Sequence, residues 1–406
     1  MRNASLIRIL LVVTLAAVLS LPAGAATVSN RYTKSRSQTI TETSRTRKKL
    51  SSSRHSRPVA RVAGKRKGKR VRVARHKRYW EHFTGNSFAD NQTQNDVIAG
   101  EDPVVRQAAI DALGNMNGTV VAVDPNSGRI LAMVNQDLAL SEGATPCSTI
   151  KLSVALAALS EGIITKETKI NLGGSYKMDL TTALAHSNNQ YFEALGRRLG
   201  FEKVSYYAHQ YGLGELAGYN IPGEHLGVYP TEELDAKLGG VGRMCSFGDS
   251  VNMTPLQLAA MVSAISNGGT LYYLQHPTTP EEVANFKPRV KRHLDIAGAI
   301  PEMIDGMAGA VHYGTARSVR YNFSEEQILG KTGTCSKDGV RFGWFASYAN
   351  TQYGKIAVVV FLKGGRPTFG PKAAELSGKL YRELYDHEFF AAKPAVERTS
   401  TMGAAQ

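Results

Sequence analysis

Three short stretches carry side chains whose types and spacing suit acyl-transfer chemistry. The first is Ser148-Thr149-Ile150-Lys151, at the head of the apolar run from Leu152 to Leu159. Residues i and i+3 of a helix share a face, so the Lys151 amine can reach the Ser148 hydroxyl. A serine needs a base to become a nucleophile. A lysine serves when burial or a second cation depresses its pKa, and a helix N-terminus favours the negative charge developing on oxygen. Ser-x-x-Lys alone is a weak signal, because an N-cap serine followed by a surface lysine looks the same. The second stretch is Ser187-Asn188-Asn189, which by itself also reads as an N-cap; Ser250-Val251-Asn252 repeats its pattern. The third is Lys331-Thr332-Gly333-Thr334, at the end of a strand-like run. It offers a cation, two hydroxyls and a close-approach glycine, which suit a substrate carboxylate. A strand end entering a turn would look alike.

The elements that must position these residues follow from periodicity and turn chemistry. Residues 118–123 and 129–134 read as strands around the turn Asp124-Pro125-Asn126-Ser127-Gly128. Helical patterns cover 148–160, 188–199, 203–211, 255–265 and 301–311. Strand-like runs return at 327–334, 343–348 and 356–362, before a last helix over 372–385. Two strands, a helical middle, three strands and a closing helix predict an α+β body with one mainly antiparallel sheet. Order is expected from residue 95 to about 390, with a disordered tail over 391–406.

The 406 residues carry a formal net charge of +15, but the charge is concentrated. Between Arg31 and Arg78 stand 19 Lys and Arg against one acid, Glu42, so the body beyond is mildly acidic. Residues 26–94 show almost no apolar periodicity and read as a disordered basic linker. It serves either as a solvated spacer or as an electrostatic tether to an anionic envelope polymer or membrane surface. Ahead of it, Arg2 and Arg8 precede an apolar run from Ile9 to Leu21, then Pro22 and Ala23-Gly24-Ala25. That run is shorter than the ~20 residues needed to span a bilayer and reads as a secretory signal over 1–25, either cleaved or kept as an anchor. Either outcome places the body outside the cytoplasm, in the periplasm or cell envelope, and excludes nucleic acid as a partner. Three cysteines in an exported chain permit one disulfide and leave one thiol.

In this order, the three stretches resemble those of the serine penicillin-recognising superfamily: penicillin-binding protein transpeptidases, D,D-carboxypeptidases and serine β-lactamases. The similarity extends to Phe247 through Ala259, with its Thr254-Pro255-Leu256-Gln257 core, and to Ser266-Asn267-Gly268-Gly269. It also takes in Met307 through Gly314-Thr315-Ala316 and Gly343-Trp344-Phe345-Ala346. It covers roughly 95–390 and assigns Ser250 to the Thr-Pro segment rather than to the second motif. The fold it implies is β-lactamase/transpeptidase-like: a mainly antiparallel five-stranded sheet flanked by helices, with an all-helical subdomain. The interval from Ser148 to Ser187 is short for the family, implying a trimmed helical lobe.

Carried over by motif position, the resemblance implies that Ser148 is the acylated nucleophile and Lys151 its base. Ser187 relays a proton to the leaving amine, and Asn189 holds a substrate amide. Lys331, Thr332 and Thr334 bind the substrate carboxylate beside Gly333. Backbone N–H groups of Ser148 and Thr334 form the oxyanion hole, each donor worth ~2.7–4 kcal/mol in the transition state. The implied partners are peptidoglycan stem peptides ending in D-Ala-D-Ala and the β-lactam antibiotics that mimic them. No metal or cofactor is required. With no glycan-polymerising domain ahead of the body, a glycosyltransferase is the expected partner. If the family geometry holds, Cys147 and Cys335 face each other within bridging distance, as in one group of class A carbapenem-hydrolysing β-lactamases. Small apolar fillers are the plain alternative, with Cys245 eligible for any pair.

The nearest rival is a serine β-lactamase, which needs a further base to hydrolyse the acyl-enzyme. Where class A enzymes have Glu-x-x-Leu-Asn, this chain has Thr231-Glu232-Glu233-Leu234-Asp235. Class D enzymes typically carry valine where Asn189 stands. A D,D-carboxypeptidase differs only in using water as acceptor. A non-catalytic β-lactam sensor would need transmembrane signalling helices, and the chain offers one apolar segment at most.

Overall fold

The computed structural model describes residues 82–351 and 354–391. The segments expected to be an export signal, most of the expected basic linker and the tail after residue 391 lie outside the described residues. The body begins earlier than the sequence reading has it. Residues 82–94, assigned there to the linker, are hydrogen-bonded into the fold: Thr84 N–H donates to Gly339 O, and Gly365 N–H donates to the buried Ser87 Oγ. The Gln92 amide donates to Met116 O.

Helix α1 (Pro103–Leu113) starts where the Asp102 carboxylate accepts from two backbone amides, with Pro103 at the first helical position. Strands β1 (Gly118–Asp124) and β2 (Arg129–Val134) flank the expected turn, where Asp124 accepts from Asn126 N–H and the Ser127 hydroxyl. Helix α2 (Gln136–Ala139) and a single 3₁₀ turn, Cys147–Ile150, lead into α3 (Lys151–Ser160). After β3 (Ile170–Gly173), β4 (Tyr176–Met178) and α4 (Leu180–Ala185) comes α5 (Asn189–Gln210). Gly200 interrupts α5 at φ 77°, ψ 162°, so it is two helices across a kink, as the two separate helical patterns predict. Next come α6 (Gly240–Phe247), α7 (Pro255–Ser266), β5 (Thr270–Tyr272), α8 (Pro280–Ala284), β6 (Val290–His293) and α9 (Ile300–His312). The chain closes with β7 (Ile328–Lys337), β8 (Val340–Thr351), β9 (Gly354–Gly364) and α10 (Gly370–Asp386).

Five strands form one antiparallel sheet in the order β2-β1-β9-β8-β7. The central β9 is buried on both faces, which explains its unbroken apolar run. Ala357, Val359 and Phe361 face the helical lobe of α3, α5 and α7; Ile356, Val358, Val360 and Leu362 face α1 and α10. Trp344 of β8 stacks on Phe361 with ring centroids 3.9 Å apart, at the base of the lobe. The Thr254-Pro255-Leu256-Gln257 segment is a capping box: Thr254 Oγ1 accepts from Gln257 N–H, and Gln257 Oε1 accepts from Thr254 N–H. It starts α7, whose residues are all buried. The middle of the chain is not purely helical, because β3 pairs with β4 and β5 with β6 in two small antiparallel sheets.

Candidate active site

Ser148 sits in the 3₁₀ turn, half-buried at the surface, and Lys151 lies beneath it with no exposure at all. Side chains at i and i+3 eclipse in a 3₁₀ turn, which stacks the amine under the hydroxyl. Lys151 Nζ is 3.0 Å from Ser148 Oγ. Ser148 caps no helix: neither this turn nor α3 has a side-chain cap. Cys147, just ahead, holds a left-handed φ of 51°, which a non-glycine residue adopts only when its surroundings enforce it. Those surroundings include a disulfide from Cys147 to Cys335 of β7, with Cα atoms 5.5 Å apart. Cys245 is a buried free thiol.

The second motif lies between α4 and α5. Its capping role falls on Asn188, whose side chain accepts from Tyr191 N–H. That frees Ser187, itself at a left-handed φ of 55°, and Asn189 to face Lys151. Lys151 Nζ is 2.8 Å from Ser187 O, 3.2 Å from Ser187 Oγ and 2.6 Å from Asn189 Oδ1.

Strand β7 supplies the third side. Lys331 is fully buried and donates to Ser187 Oγ at 2.7 Å and to Thr332 O at 2.9 Å. The Thr332 hydroxyl donates to Thr315 Oγ1 at 2.6 Å, and Thr334 Oγ1 accepts from Gly370 N–H at 2.7 Å. A Cβ on Gly333 would stand 2.9 Å from Pro146 O and 3.2 Å from Thr149 Cγ2. Glycine there allows β7 to lie against the turn carrying Ser148. The Trp344 indole donates to Thr145 O at 3.0 Å, fixing the same turn from β8.

Two buried amines thus share one hydroxyl, and their charges oppose each other. Burial, then the neighbouring Lys331 cation, pushes the Lys151 pKa from 10.5 down to about 6; Glu193 pulls weakly the other way. Burial pushes Lys331 down to about 7. A neutral Lys151 fits its neighbours atom by atom. Its two N–H bonds match Ser187 O and Asn189 Oδ1, and its lone pair is left for the Ser148 hydroxyl. An ammonium there would have no lone pair to accept the serine proton.

Ser148, Lys151, Ser187, Asn189, Lys331 and Thr332 are therefore joined in one hydrogen-bonded cluster, with Gly333 and Thr334 beside it on β7. Ser250 lies outside it, lining a neighbouring cavity with Thr334. Sequence reasoning assigned no site role to Thr315; it stands in a loop without a motif of its own, and only the Gly314-Thr315-Ala316 similarity pointed there. Among the described residues, no group of three or more His, Cys, Asp or Glu could hold a metal ion.

Comparison with known proteins agrees with this arrangement. Residues 118–386 match the penicillin binding protein transpeptidase domain. The peptidoglycan D,D-transpeptidase MrdA of Acinetobacter baumannii is 25% identical over 362 residues, covering 71% of this chain and 53% of that protein. Stage V sporulation protein D of Bacillus subtilis is 29% identical over 267 residues, covering 53% and 39%. The chain thus spans about half the length, or less, of these curated relatives. The fold is that of Pseudomonas aeruginosa PBP2, solved in complex with WCK 5153, at a TM-score of 0.59 and 22% identity over 74% of this chain and 78% of that one. On the strength of a match over residues 118–386, the chain belongs to the penicillin-binding protein transpeptidase domain family.

Proposed function

We propose that this protein is an extracytoplasmic peptidoglycan D,D-transpeptidase that acylates Ser148. The observation that carries the reading is a depressed-pKa amine, Lys151, 3.0 Å from a half-exposed serine, with a second buried lysine one hydroxyl away. In the first half-reaction, neutral Lys151 takes the Ser148 proton as Oγ attacks the carbonyl of the penultimate D-Ala of a stem peptide. The Ser148 and Thr334 N–H groups face the developing oxyanion. Lys331, with the Thr332 and Thr334 hydroxyls, holds the terminal carboxylate, while Asn189 Nδ2 meets a substrate amide. The C–N bond breaks, and the departing amine takes from Lys151, through Ser187 Oγ, the proton that Ser148 gave up, so that Lys151 is neutral again; Ser187 Oγ touches both lysines. D-Ala leaves, and the serine ester remains. In the second half-reaction, an amine from another stem peptide gives up a proton to Lys151 and attacks the ester, closing the cross-link and restoring Ser148.

β-Lactams would enter the same path and leave an ester with no departing fragment. The Cys147–Cys335 disulfide supports an oxidising compartment. The basic stretch around Arg31 to Arg78 would hold the body near an anionic polymer or headgroup surface, and a separate glycosyltransferase would supply the glycan strands. Against a class A-type hydrolase, Thr231 occupies the place of the deacylating glutamate. Glu233 nearby is engaged, its carboxylate accepting from Val241 N–H at 2.8 Å. Fluorescent penicillin should give a long-lived adduct that Ser148→Ala abolishes. Many turnovers per second of a chromogenic cephalosporin would overturn the reading in favour of a β-lactamase. Release of D-Ala without cross-linked product would make the protein a carboxypeptidase.

A further inference from the structure

The cleft continues past Thr334. Along β7 the order is Lys331, Thr332, Gly333, Thr334, then Cys335, Ser336 and Lys337. At that far end opens a cavity of about 580 Å³, bounded by β7, by α6 and by the loop that follows α6. Arg243, Lys337 and Arg341 line it, with Asp249 the one acid among its walls. Asp249 accepts from Arg243 Nε at 2.7 Å, and the two terminal nitrogens of that guanidinium have no hydrogen-bond partner among the described residues. Arg341 and Lys337 make no ion pair with any described residue, and Arg341 Nε is buried without a partner. The rings of Phe83 and Phe369 lie 5.5 and 5.9 Å from the Arg341 guanidinium. Ring faces offset only part of the cost of a half-buried, unpaired cation. Elsewhere on the body Arg106, Arg197, Arg292 and Arg382 each hold a carboxylate; at this cavity Arg243 holds Asp249 through Nε, while Arg341 and Lys337 hold none among the described residues. Three cations thus line this cavity against one carboxylate, which is already bound to Arg243, so Arg341 and Lys337 are left without an acid from the described residues.

We propose that the cavity is a subsite for a carboxylate carried by the acyl donor, upstream of the bond being cleaved. This rests on the transpeptidase reading above, which sets the direction. With the donor's terminal carboxylate at Lys331 and Thr332, and its scissile carbonyl between Ser148 and Thr334, the acyl side must run toward Lys337. Three strand residues span about 10 Å, within reach of an acidic side chain on the residue next to the D-Ala pair. Arg243 and Arg341 then grip that carboxylate, and the protein prefers donors with a free acid there over donors in which it is amidated.

The test uses the full-length protein and two peptidyl thioester donors, identical except that the upstream side chain ends in a carboxylate or a carboxamide. Acylation of Ser148 is followed by mass spectrometry. The carboxylate donor is expected to react about 10- to 100-fold faster per unit concentration. Arg341→Gln and Arg243→Gln should each shrink that ratio toward one, mainly through KM, and added salt should shrink it as well. Equal rates in the unaltered protein overturn the proposal without any variant. A ratio that survives both substitutions also overturns it, as does a carboxylate preference seen only for the acceptor peptide. Penicillin labelling run in parallel separates the two readings. If Ser148 is labelled but the donors react equally, the subsite alone falls; if Ser148 is not labelled, the transpeptidase reading falls with it.

Discussion

Replacing Lys331 by glutamine should move the pH at which Ser148 becomes reactive. Both lysine nitrogens touch Ser187 Oγ, at 3.2 and 2.7 Å, so they lie no more than about 6 Å apart. At an effective dielectric constant of about 20, two unit charges at that separation repel by about 3 kcal/mol, or roughly two pH units. Burial accounts for the larger remainder of the fall from 10.5 to about 6. The sign follows from the chemistry: Lys151 must be neutral to accept the serine proton, so acylation rises as pH passes upward through its pKa. In the unaltered protein the limb should rise near 6. It should fall again above about 7, as Lys331 loses the proton with which it holds the substrate carboxylate. These two values belong to the coupled pair and bracket its singly protonated state. In Lys331→Gln the repulsion is gone, the rising limb moves to roughly pH 8, and the falling limb disappears. Stopped-flow acylation by a penicillin, expressed as the second-order rate constant across pH 5–10, reads both limbs. A rising limb that stays put in the variant would refute the coupling. A limb near 10 in the unaltered protein would refute Lys151 as a base of depressed pKa.

Further expectations follow from the same geometry. Lys151 has a folded pKa below its unfolded value, so between about 6 and 10.5 the unfolded chain binds the extra proton and stability rises with pH. Lys151→Met should abolish acylation and flatten that dependence by about 1.4 kcal/mol per pH unit within the window; urea unfolding at several pH values, showing parallel curves for the two proteins, would count against it. Gly333→Ala pushes a methyl against Pro146 O and Thr149 Cγ2 and separates β7 from the nucleophile, so acylation should drop about 100-fold with the melting temperature little changed. Penicillin labelling at an undiminished rate would show the contact to be slack. Replacing Cys147 and Cys335 together by serine should cost about 2–4 kcal/mol in urea unfolding and slow acylation at 25 °C; an unchanged midpoint would contradict this.

Much of this arrangement was legible because the features concerned are local. The Asp124 to Gly128 turn, the kink at Gly200 and the five strands of the sheet each announce themselves through turn residues, helical periodicity or short apolar runs. What escaped was held by long-range polar contacts. Residues 82–94 lack apolar periodicity, yet Ser87 and Gln92 are fixed by hydrogen bonds to Gly365 and Met116, which composition does not reveal. Strands β5 and β6 are three and four residues long with α8 between them, too short for a period-two signal. Helix α1 went unread although Asp102-Pro103 is a sound start signal. At the site, the motif residues were readable but their division of labour was not. That Asn188 rather than Ser187 caps α5, and that Thr315 meets Thr332, depends on how distant segments dock.

The sheet order carries a temporal consequence. Strand β1 is hydrogen-bonded to β9, so the first-made part of the domain waits for nearly the last before its central ladder can close. A chain released early, between Lys151 and β9, would contain the serine and its amine but no finished groove to receive a peptide. Unfinished or clipped copies are thus chemically silent, and acylating power arrives all at once with the complete domain.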